Sequence, residues 1–218
     1  MPDRRDFRLY LVTDRSLCLG RRLETIVAAA VCGGVTAVQV RDKNCPTQEY
    51  IDIARRVKSV LQPIGVPLII NDRLDVALAA GADGVHIGQD DMPYSEARRI
   101  LGPAAIIGLS VESPQQAAEA EGIDVDYLGV SPIFATPTKP DTRSLWGIEG
   151  LRALRSRSRR VLVAIGGLNA ENAGAVIEAG ADGIAVVSAI CSAPAPEEAA
   201  RELRRVIDRA RRERGIPA

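Results

Sequence analysis

Short, mainly apolar runs alternate along the chain with longer segments in which apolar residues recur every three or four positions. The short runs are typical of β-strands buried on both faces, as in a parallel sheet. The longer segments are typical of helices with one buried side. We identify eight strand-like runs: FRLYLVTD, AVQVRD, PLIIND, GVHIG, AIIGLSV, YLGVSPI, VLVAIGG and GIAVVSAI.

One element occurs twice in almost the same form. AGADGVHIGQDD covers Ala80 to Asp91, and AGADGIAVVSAI covers Ala179 to Ile190. Each copy is interpreted as a helix end, a glycine, an aspartate turn and a buried strand. Weaker versions are CGGVTAVQV and EGIDVDYLGV. The two close copies differ in their endings, which are two carboxylates in one and a serine with small residues in the other.

The repeated βα unit indicates the fold class. Roughly 25 residues used about eight times give parallel strands with helices outside them. We therefore predict an α/β fold, a single-domain (β/α)8 TIM barrel over residues 1–218, with a flexible tail at 214–218. An open doubly wound sheet is the alternative, but it usually has a GxGxxG turn after the first strand, which LVTDRSLCLG lacks.

Polar residues and glycines mark the expected ends of the helices. Ser, Thr and Asn favour the first position of a helix, and glycine favours the position just after its end. We expect helix caps at Thr47, Ser95, Ser113 and Asn169, and helix ends at Gly81, Gly102 and Gly180.

Composition excludes several classes of partner. The formal net charge is zero and only 3% of residues are aromatic, so neither nucleic acid nor a membrane surface is an expected partner. No run is apolar for long enough to be a signal peptide or a membrane span. The four cysteines lack metal or redox spacing. We expect reduced thiols in a cytoplasmic protein.

The chemistry of a barrel lies where its strands end. Asp72 and Asp91 follow neighbouring strands, and carboxylate oxygens suit Mg²⁺. Helix capping is the alternative for both. Arg41, Lys43 and Lys139 fall in strand-end loops, where they suit a pyrophosphate, with solvated loop charge as the alternative.

Two further groups suit anions. Gly166 and Gly167, with Val187 and Ser188, occupy the usual phosphate site of a barrel. Thr136 and Thr138 lie in a proline-flanked loop, where turn formation is the alternative to ligand binding. The only histidine, His86, lies inside a strand and is interpreted as a structural imidazole.

Several motifs occur together and in one order: YLVTD, VTAVQVRDK, INDRLDVALAAGADGVHIGQDD, IIGLS, SPIFATPTK, AIGGLN and AGADGIAVVSAI. Together they resemble the thiamine phosphate synthase family from Tyr10 to Ile190. The family joins a pyrimidine pyrophosphate to a thiazole phosphate, which may carry a carboxylate. The products are thiamine phosphate and pyrophosphate, with CO2 when the thiazole carries its carboxylate.

The resemblance implies a role for each matched residue. Those that hold the pyrimidine pyrophosphate are Gln39, Arg41, Lys43 and Asn71, with Lys139 on the pyrophosphate and Ser110 at the reacting centre. Asp72 and Asp91 match Mg²⁺ ligands. The residues that match contacts to the thiazole phosphate are Thr136, Thr138, Gly167, Val187 and Ser188. Arg41, Lys43, Ser110 and Lys139 are the expected catalytic residues.

Three alternatives compete with this function: a related thiazole tautomerase, a phosphate-binding barrel without catalysis, and an aldolase-like barrel enzyme. The first is expected to lack the metal carboxylates and the pyrophosphate lysine, which are present here. We expect two small-molecule substrates and Mg²⁺ as cofactor, with a homo-oligomer as one possible state.

Overall fold

Eight parallel strands close into a barrel in which each strand pairs with the next and β8 pairs with β1. The computed structural model describes residues 5–136 and 145–217. The strands are β1 (Leu9–Val12), β2 (Ala37–Val40), β3 (Leu68–Asn71), β4 (Gly84–Ile87), β5 (Ile106–Val111), β6 (Tyr127–Val130), β7 (Leu162–Ile165) and β8 (Gly183–Val186). The predicted strands and barrel are confirmed.

Helices lie between the strands. They are α1 (Leu23–Cys32), α2 (Thr47–Leu61), α3 (Leu74–Ala80), α4 (Tyr94–Leu101), α5 (Pro114–Ala120), α6 (Gly147–Arg155), α7 (Ala173–Glu178), α8 (Ser188–Cys191) and α9 (Pro196–Glu213). Two short 3-10 helices cover Arg15–Cys18 and Gln62–Ile64. None of the helices described is long and apolar enough to cross a membrane. All four cysteines are free.

The helix caps only partly follow the sequence prediction. Ser113 caps α5 by accepting the N–H of Gln116. Thr47 and Ser95 lie inside α2 and α4, whose caps are the prolines before them, so those two predictions are wrong. Proline suits a helix start because its missing N–H would have no partner there. Asn169 instead caps the turn before α7, where it accepts the N–H of Glu171.

Side chains alternate between two layers along each strand. In β1, Leu9 and Leu11 pack outward against the helices, whereas Tyr10 and Val12 point into the barrel. Small and branched residues from other strands pack in the same interior cluster. Its buried members are Phe7, Tyr10, Val12, Ala37, Ile69, Ile106, Tyr127, Val163 and Ala185.

The residue before each even-numbered strand bonds twice to the start of the preceding strand. Its backbone N–H donates to the carbonyl of one residue in that strand. Its side chain accepts a hydrogen bond from the backbone N–H of that strand residue. The four pairs are Thr36 with Leu9, Asp83 with Leu68, Asp126 with Ile107 and Asp182 with Leu162. We call these pairs the strand clamps.

The three aspartates of the strand clamps each meet a cation from a helix. The aspartates precede β4, β6 and β8, and the cations lie on α2, α4 and α6, which follow β2, β4 and β6. The ion pairs are Lys58 with Asp83 at 3.9 Å, Arg98 with Asp126 at 3.1 Å and Arg155 with Asp182 at 3.0 Å. The common Ala-Asp-Gly part of the two close repeats therefore holds the barrel together at the end away from the strand-end loops.

The glycines after two of these aspartates are needed for space. A Cβ on Gly84 would overlap the carbonyl oxygen of Ile106, and a Cβ on Gly183 would overlap that of Phe7. Both atoms are backbone and belong to the wall of the barrel, so neither overlap is relieved by rotating a side chain.

We expect Gly183→Ala to destabilise the fold by about 3 kcal/mol, because the added carbon forces a strand start apart. Urea unfolding measures this loss. Gly122→Ala is the matched control, since its Cβ would come no closer than 3.9 Å to the carbonyl oxygen of Glu119. Equal stability of the two variants would contradict the spatial requirement.

Candidate active site

Three of the predicted site residues point into the barrel near its strand-end mouth. Gln39 lies two positions after the interior residue Ala37, and Asn71 lies two after Ile69. Ser110 lies four positions after Ile106, again on the interior side. The barrel thus brings together side chains from β2, β3 and β5.

The two predicted metal ligands are close enough to influence each other. Burial, then a hydrogen bond and charge repulsion from Asp91, raise the pKa of Asp72 to about 6, while Lys43 and Arg41 oppose the rise. Asp91 also accepts the backbone N–H of Gly88 at 2.7 Å. Asp72 has a φ of +61°, which is unusual for a residue with a side chain. This strain and repulsion are typical of a functional position.

The helix-capping alternative does not account for these carboxylates. The cap of α3 is Arg73 and the cap of α4 is Pro93, and neither helix start has a side-chain cap. Two facing carboxylates with nearby cations instead offer hard oxygen ligands in a repulsive pair. This donor set fits Mg²⁺, which binds one or two carboxylates and takes its remaining ligands from water and phosphate. Residues 5–136 and 145–217 contain no group of three or more His, Cys, Asp or Glu side chains suited to a metal.

The predicted cations flank this pair. The backbone N–H of Arg41 donates to the Thr13 hydroxyl, which anchors the loop after β2. Between the two cations, Asp42 pairs with Arg15 at 3.2 Å. None of the ion pairs seen among the described residues involves Arg41 or Lys43. Their charges are therefore available to an anion.

Lys139 and Thr138 lie outside the described residues, so their predicted roles stay predictions. Thr136, at the edge of that gap, is half-buried after β6. On the far side of the gap, the Trp146 indole N–H donates to the carbonyl of Val111 at 3.3 Å, which fastens the returning chain to the end of β5.

The expected phosphate site lies after β7 and β8. Val187 packs against the interior cluster, and the exposed Ser188 begins α8. Gly166 and Gly167 have φ values of +108° and +66°. A Cβ on Gly166 would lie 2.7 Å from Cβ of Pro132, and one on Gly167 would lie 2.8 Å from the carbonyl oxygen of Ala135. Packing against the loop after β6 therefore already requires both glycines, before any ligand is considered.

His86 contacts the predicted catalytic residue Ser110. Its Nε2 lies 2.8 Å from Ser110 Oγ, and its Nδ1 lies 3.0 Å from the hydroxyl of Tyr127. The Tyr127 hydroxyl lies 2.9 Å from that of Tyr10, which accepts the amide N–H of Gln39 at 3.0 Å. We call these five residues the interior chain.

Sequence reasoning missed Tyr10 and Tyr127 as parts of the site. A signal for them was present in the glycines of β5 and β6. A Cβ on Gly108 would overlap the ring of Tyr127, and a Cβ on Gly129 would lie 2.9 Å from His86 Cε1. These interior glycines make room for the rings of the interior chain.

A comparison with known families identifies the family of the chain. The model of a family described as thiamine monophosphate synthase matches residues 9–190. The chain belongs to this family. Its matched span includes every strand and every predicted site residue, so the resemblance derived from the motifs is confirmed.

Relatives in the thiamine monophosphate synthase family match nearly the full length. A thiamine-phosphate synthase from Albidiferax ferrireducens is 56% identical over 201 residues, covering 92% of each chain. One from Azorhizobium caulinodans is 53% identical and covers 97% of this chain and all of the relative. A solved thiamine phosphate pyrophosphorylase from Pyrococcus furiosus superposes with a TM-score of 0.87 at 40% identity, covering 95% of this chain and 98% of that one.

We expect Asp72→Asn to become more stable relative to the unsubstituted protein as the pH rises, in the absence of metal. The folded protein holds the proton of Asp72 more tightly than an unfolded chain with the ordinary pKa of 3.8. This contribution to stability is complete below that pH and is lost as the pH rises through about 6. Melting temperatures of both proteins across this range measure the effect.

Asp75→Asn is the control for this prediction. A hydrogen bond from Arg73 lowers the pKa of Asp75. Replacing this carboxylate by an amide therefore gives no gain in stability at neutral pH. Mg²⁺ should raise the melting temperature of the unsubstituted protein more than that of Asp72→Asn. A stability difference that does not vary with pH would contradict the raised pKa of Asp72.

Proposed function

We propose that the protein is a thiamine-phosphate synthase. It condenses 4-amino-2-methyl-5-(diphosphooxymethyl)pyrimidine with a thiazole phosphate, either carboxylated or decarboxylated, and yields thiamine phosphate and pyrophosphate, with CO2 released as well when the thiazole is carboxylated. The observation that carries the proposal is the repulsive carboxylate pair Asp72 and Asp91 beside Arg41 and Lys43, within a family match over residues 9–190.

The leaving group of this reaction is a pyrophosphate, so the main task is to stabilise negative charge. Asp72 and Asp91 would hold Mg²⁺, which neutralises charge on pyrophosphate when it is bound. Arg41 and Lys43 bind the same group directly, with Lys139 added from the loop after β6. Arg41 offers a planar fork to the phosphate oxygens, and the lysines act as point charges.

The remaining residues hold the two organic substrates in line. Gln39 and Asn71 bind the pyrimidine at the interior wall, and Ser110 stands at the reacting centre. Thr136 and Thr138 contact the thiazole substrate, and Gly167, Val187 and Ser188 bind its phosphate. Two substrates held at fixed positions lose less entropy in the reaction than free ones, which lowers the barrier.

The proposed reaction is dissociative. The C–O bond to pyrophosphate breaks first and its electron pair leaves with the oxygen. The amino group of the pyrimidine ring stabilises the resulting benzylic-type cation, and the thiazole nitrogen then supplies the electron pair of the new C–N bond. No protein nucleophile is needed, so the protein contributes position and electrostatic stabilisation.

The carboxylate pair also favours this function over a thiazole tautomerase. A tautomerase releases no pyrophosphate and has no need for two repelling carboxylates beside two cations. The same groups argue against a phosphate-binding barrel without catalysis.

Four expectations stay predictions: the cytoplasmic location, the homo-oligomer, the single-domain limits and the flexible tail. In that tail, Arg214 donates to the carbonyl of Ile177 at 2.8 Å.

We expect product only when both substrates and a divalent metal are present. Purified protein is incubated with the pyrimidine pyrophosphate and the thiazole phosphate, with Mg²⁺ or with chelator, and thiamine phosphate is measured after oxidation to its fluorescent thiochrome. Binding of thiazole phosphate without product in Mg²⁺ would overturn the proposed function and favour the tautomerase or a binding protein.

We expect Arg41→Ala to lower kcat by well over tenfold, since a charge contact made in the transition state is lost. Steady-state kinetics with the thiochrome readout measure the change. Arg99→Ala is the matched control, because Arg99 lies on α4 with a side chain 71% exposed and pairs only with Glu96 among the described residues. Near-normal turnover of Arg41→Ala would contradict the assigned role.

A further inference from the structure

The interior chain joins two proposed substrate-binding residues that lie on different strands. It runs from Gln39 on β2 through Tyr10 and Tyr127 to His86 and Ser110, with heavy-atom distances of 3.0, 2.9, 3.0 and 2.8 Å. Each distance is that of a good hydrogen bond. The proposed reaction uses only the two ends, so the three middle residues need their own explanation.

The direction of the hydrogen bonds follows from the Gln39 end. The Gln39 amide N–H donates to Tyr10. Tyr10 still has its own hydroxyl hydrogen to donate, and apart from Gln39 the only hydrogen-bond partner of this hydroxyl among the described residues is Tyr127. Tyr10 is 1% exposed, so leaving that hydrogen without an acceptor would be costly. Tyr10 therefore donates to Tyr127.

The same reasoning continues along the chain. Tyr127 accepts from Tyr10, so its own hydrogen goes to Nδ1 of His86, which lies 3.0 Å away. An imidazole that accepts at Nδ1 carries its proton on Nε2 and donates it to Ser110 Oγ. The Ser110 hydrogen is then left for a ligand.

The surroundings keep both tyrosines as neutral donors. Burial raises the pKa of Tyr10 and of Tyr127 well above the ordinary value. The His86 and Tyr127 rings are stacked with centroids 5.5 Å apart. Interior glycines at 108 and 129 make room for these rings. The side chains have little space to turn and break the chain.

We propose that Tyr10, Tyr127 and His86 are positioning residues that set the hydrogen-bond direction at both ends of the interior chain. Gln39 keeps its amide oxygen as an acceptor, and Ser110 presents its O–H as a donor. A heteroaromatic ring with an amino group beside a ring nitrogen has the complementary donor and acceptor. This ligand assignment rests on the proposed function, whereas the direction of the chain does not.

The single histidine makes the direction measurable. Tag-free protein labelled with ¹⁵N-histidine gives signals from His86 alone, because the sequence has one histidine. Two-bond ¹H–¹⁵N correlations distinguish a proton on Nε2 from one on Nδ1. We expect the Nε2–H tautomer. The Nδ1–H tautomer would overturn the proposal, since it requires every bond from Ser110 to Gln39 to run the other way.

Variants test whether the chain is connected. Tyr127→Phe removes the donor to Nδ1, so it should give a mixture of tautomers. Ser110→Ala removes the acceptor for Nε2–H, so it should shift the Nε2 signal and keep the Nε2–H form, because Tyr127 still donates to Nδ1. Tyr10→Phe should shift the His86 nitrogen signals and keep the Nε2–H form. Tyr50→Phe is the matched control with no expected shift, because this buried hydroxyl donates outside the interior chain, to the carbonyl of Val40.

Unchanged His86 signals in both Tyr127→Phe and Tyr10→Phe would also overturn the proposal. If near-ultraviolet circular dichroism shows that Tyr127→Phe does not fold, Tyr10→Phe and Ser110→Ala still test the interior chain from its two sides.

In the thiochrome assay, Tyr10→Phe should lower kcat/KM for the pyrimidine pyrophosphate about fivefold, the effect of one neutral hydrogen bond. It should leave the KM of the thiazole phosphate unchanged.

A ligand titration separates this proposal from the proposed function. The pyrimidine pyrophosphate should shift the His86 signals more than inorganic pyrophosphate with Mg²⁺ does, because only the former carries the ring proposed to bond with Gln39 and Ser110. The Nε2–H tautomer with no response to the pyrimidine would support the chain and contradict the function. The Nδ1–H tautomer in a protein that makes thiamine phosphate would do the reverse.

Discussion

The hydrogen bond between the hydroxyls of Tyr10 and Tyr127 is the constraint on which the barrel interior depends. It joins β1 to β6 across the core, between residues 117 positions apart, at 2.9 Å. Two buried hydroxyls are tolerated in an apolar interior only when both are satisfied, and each is here bonded a second time, to Gln39 and to His86. The two buried hydroxyls therefore find their second hydrogen-bond partners in residues at or beside the candidate active site.

The two ends of the barrel separate stability from chemistry. At one end, the strand clamps satisfy backbone groups with one threonine and three aspartates, and each aspartate meets a cation from a helix. At the other end, Asp72 adopts a positive φ and repels Asp91, an arrangement that lowers stability in the absence of a ligand. The two close repeats share the Ala-Asp-Gly part because both contribute to the first end. The two repeats differ after Ala-Asp-Gly because their endings have different proposed roles at the strand-end mouth.

The sequence predicted the strands, the barrel and the family correctly because each depends on local or ordered patterns. Errors arose where a local rule competed with another. Thr47 and Ser95 have the right residue type for a cap, but the prolines before them take that position. For Gly166 and Gly167 the sequence suggested only a ligand, whereas close packing of the loop after β6 also requires both glycines; the phosphate-binding role of Gly167 stays a prediction. His86 was correctly placed inside a strand, but its contact with Ser110 was not foreseen.

By itself, the sequence determined the period of the βα unit, the polar strand ends and the set of charged groups available for pyrophosphate chemistry. These follow from residue types and short spacings, which fix local conformation and the buried face of each element. Only the tertiary structure decided which of these groups meet. Closure of the barrel pairs β8 with β1 and brings the Tyr127 hydroxyl to His86 and Tyr10, whose separations along the chain carry no local signal. Hydrogen-bond direction and the pKa of Asp72 depend on such neighbours, because both are set by distance and burial in three dimensions.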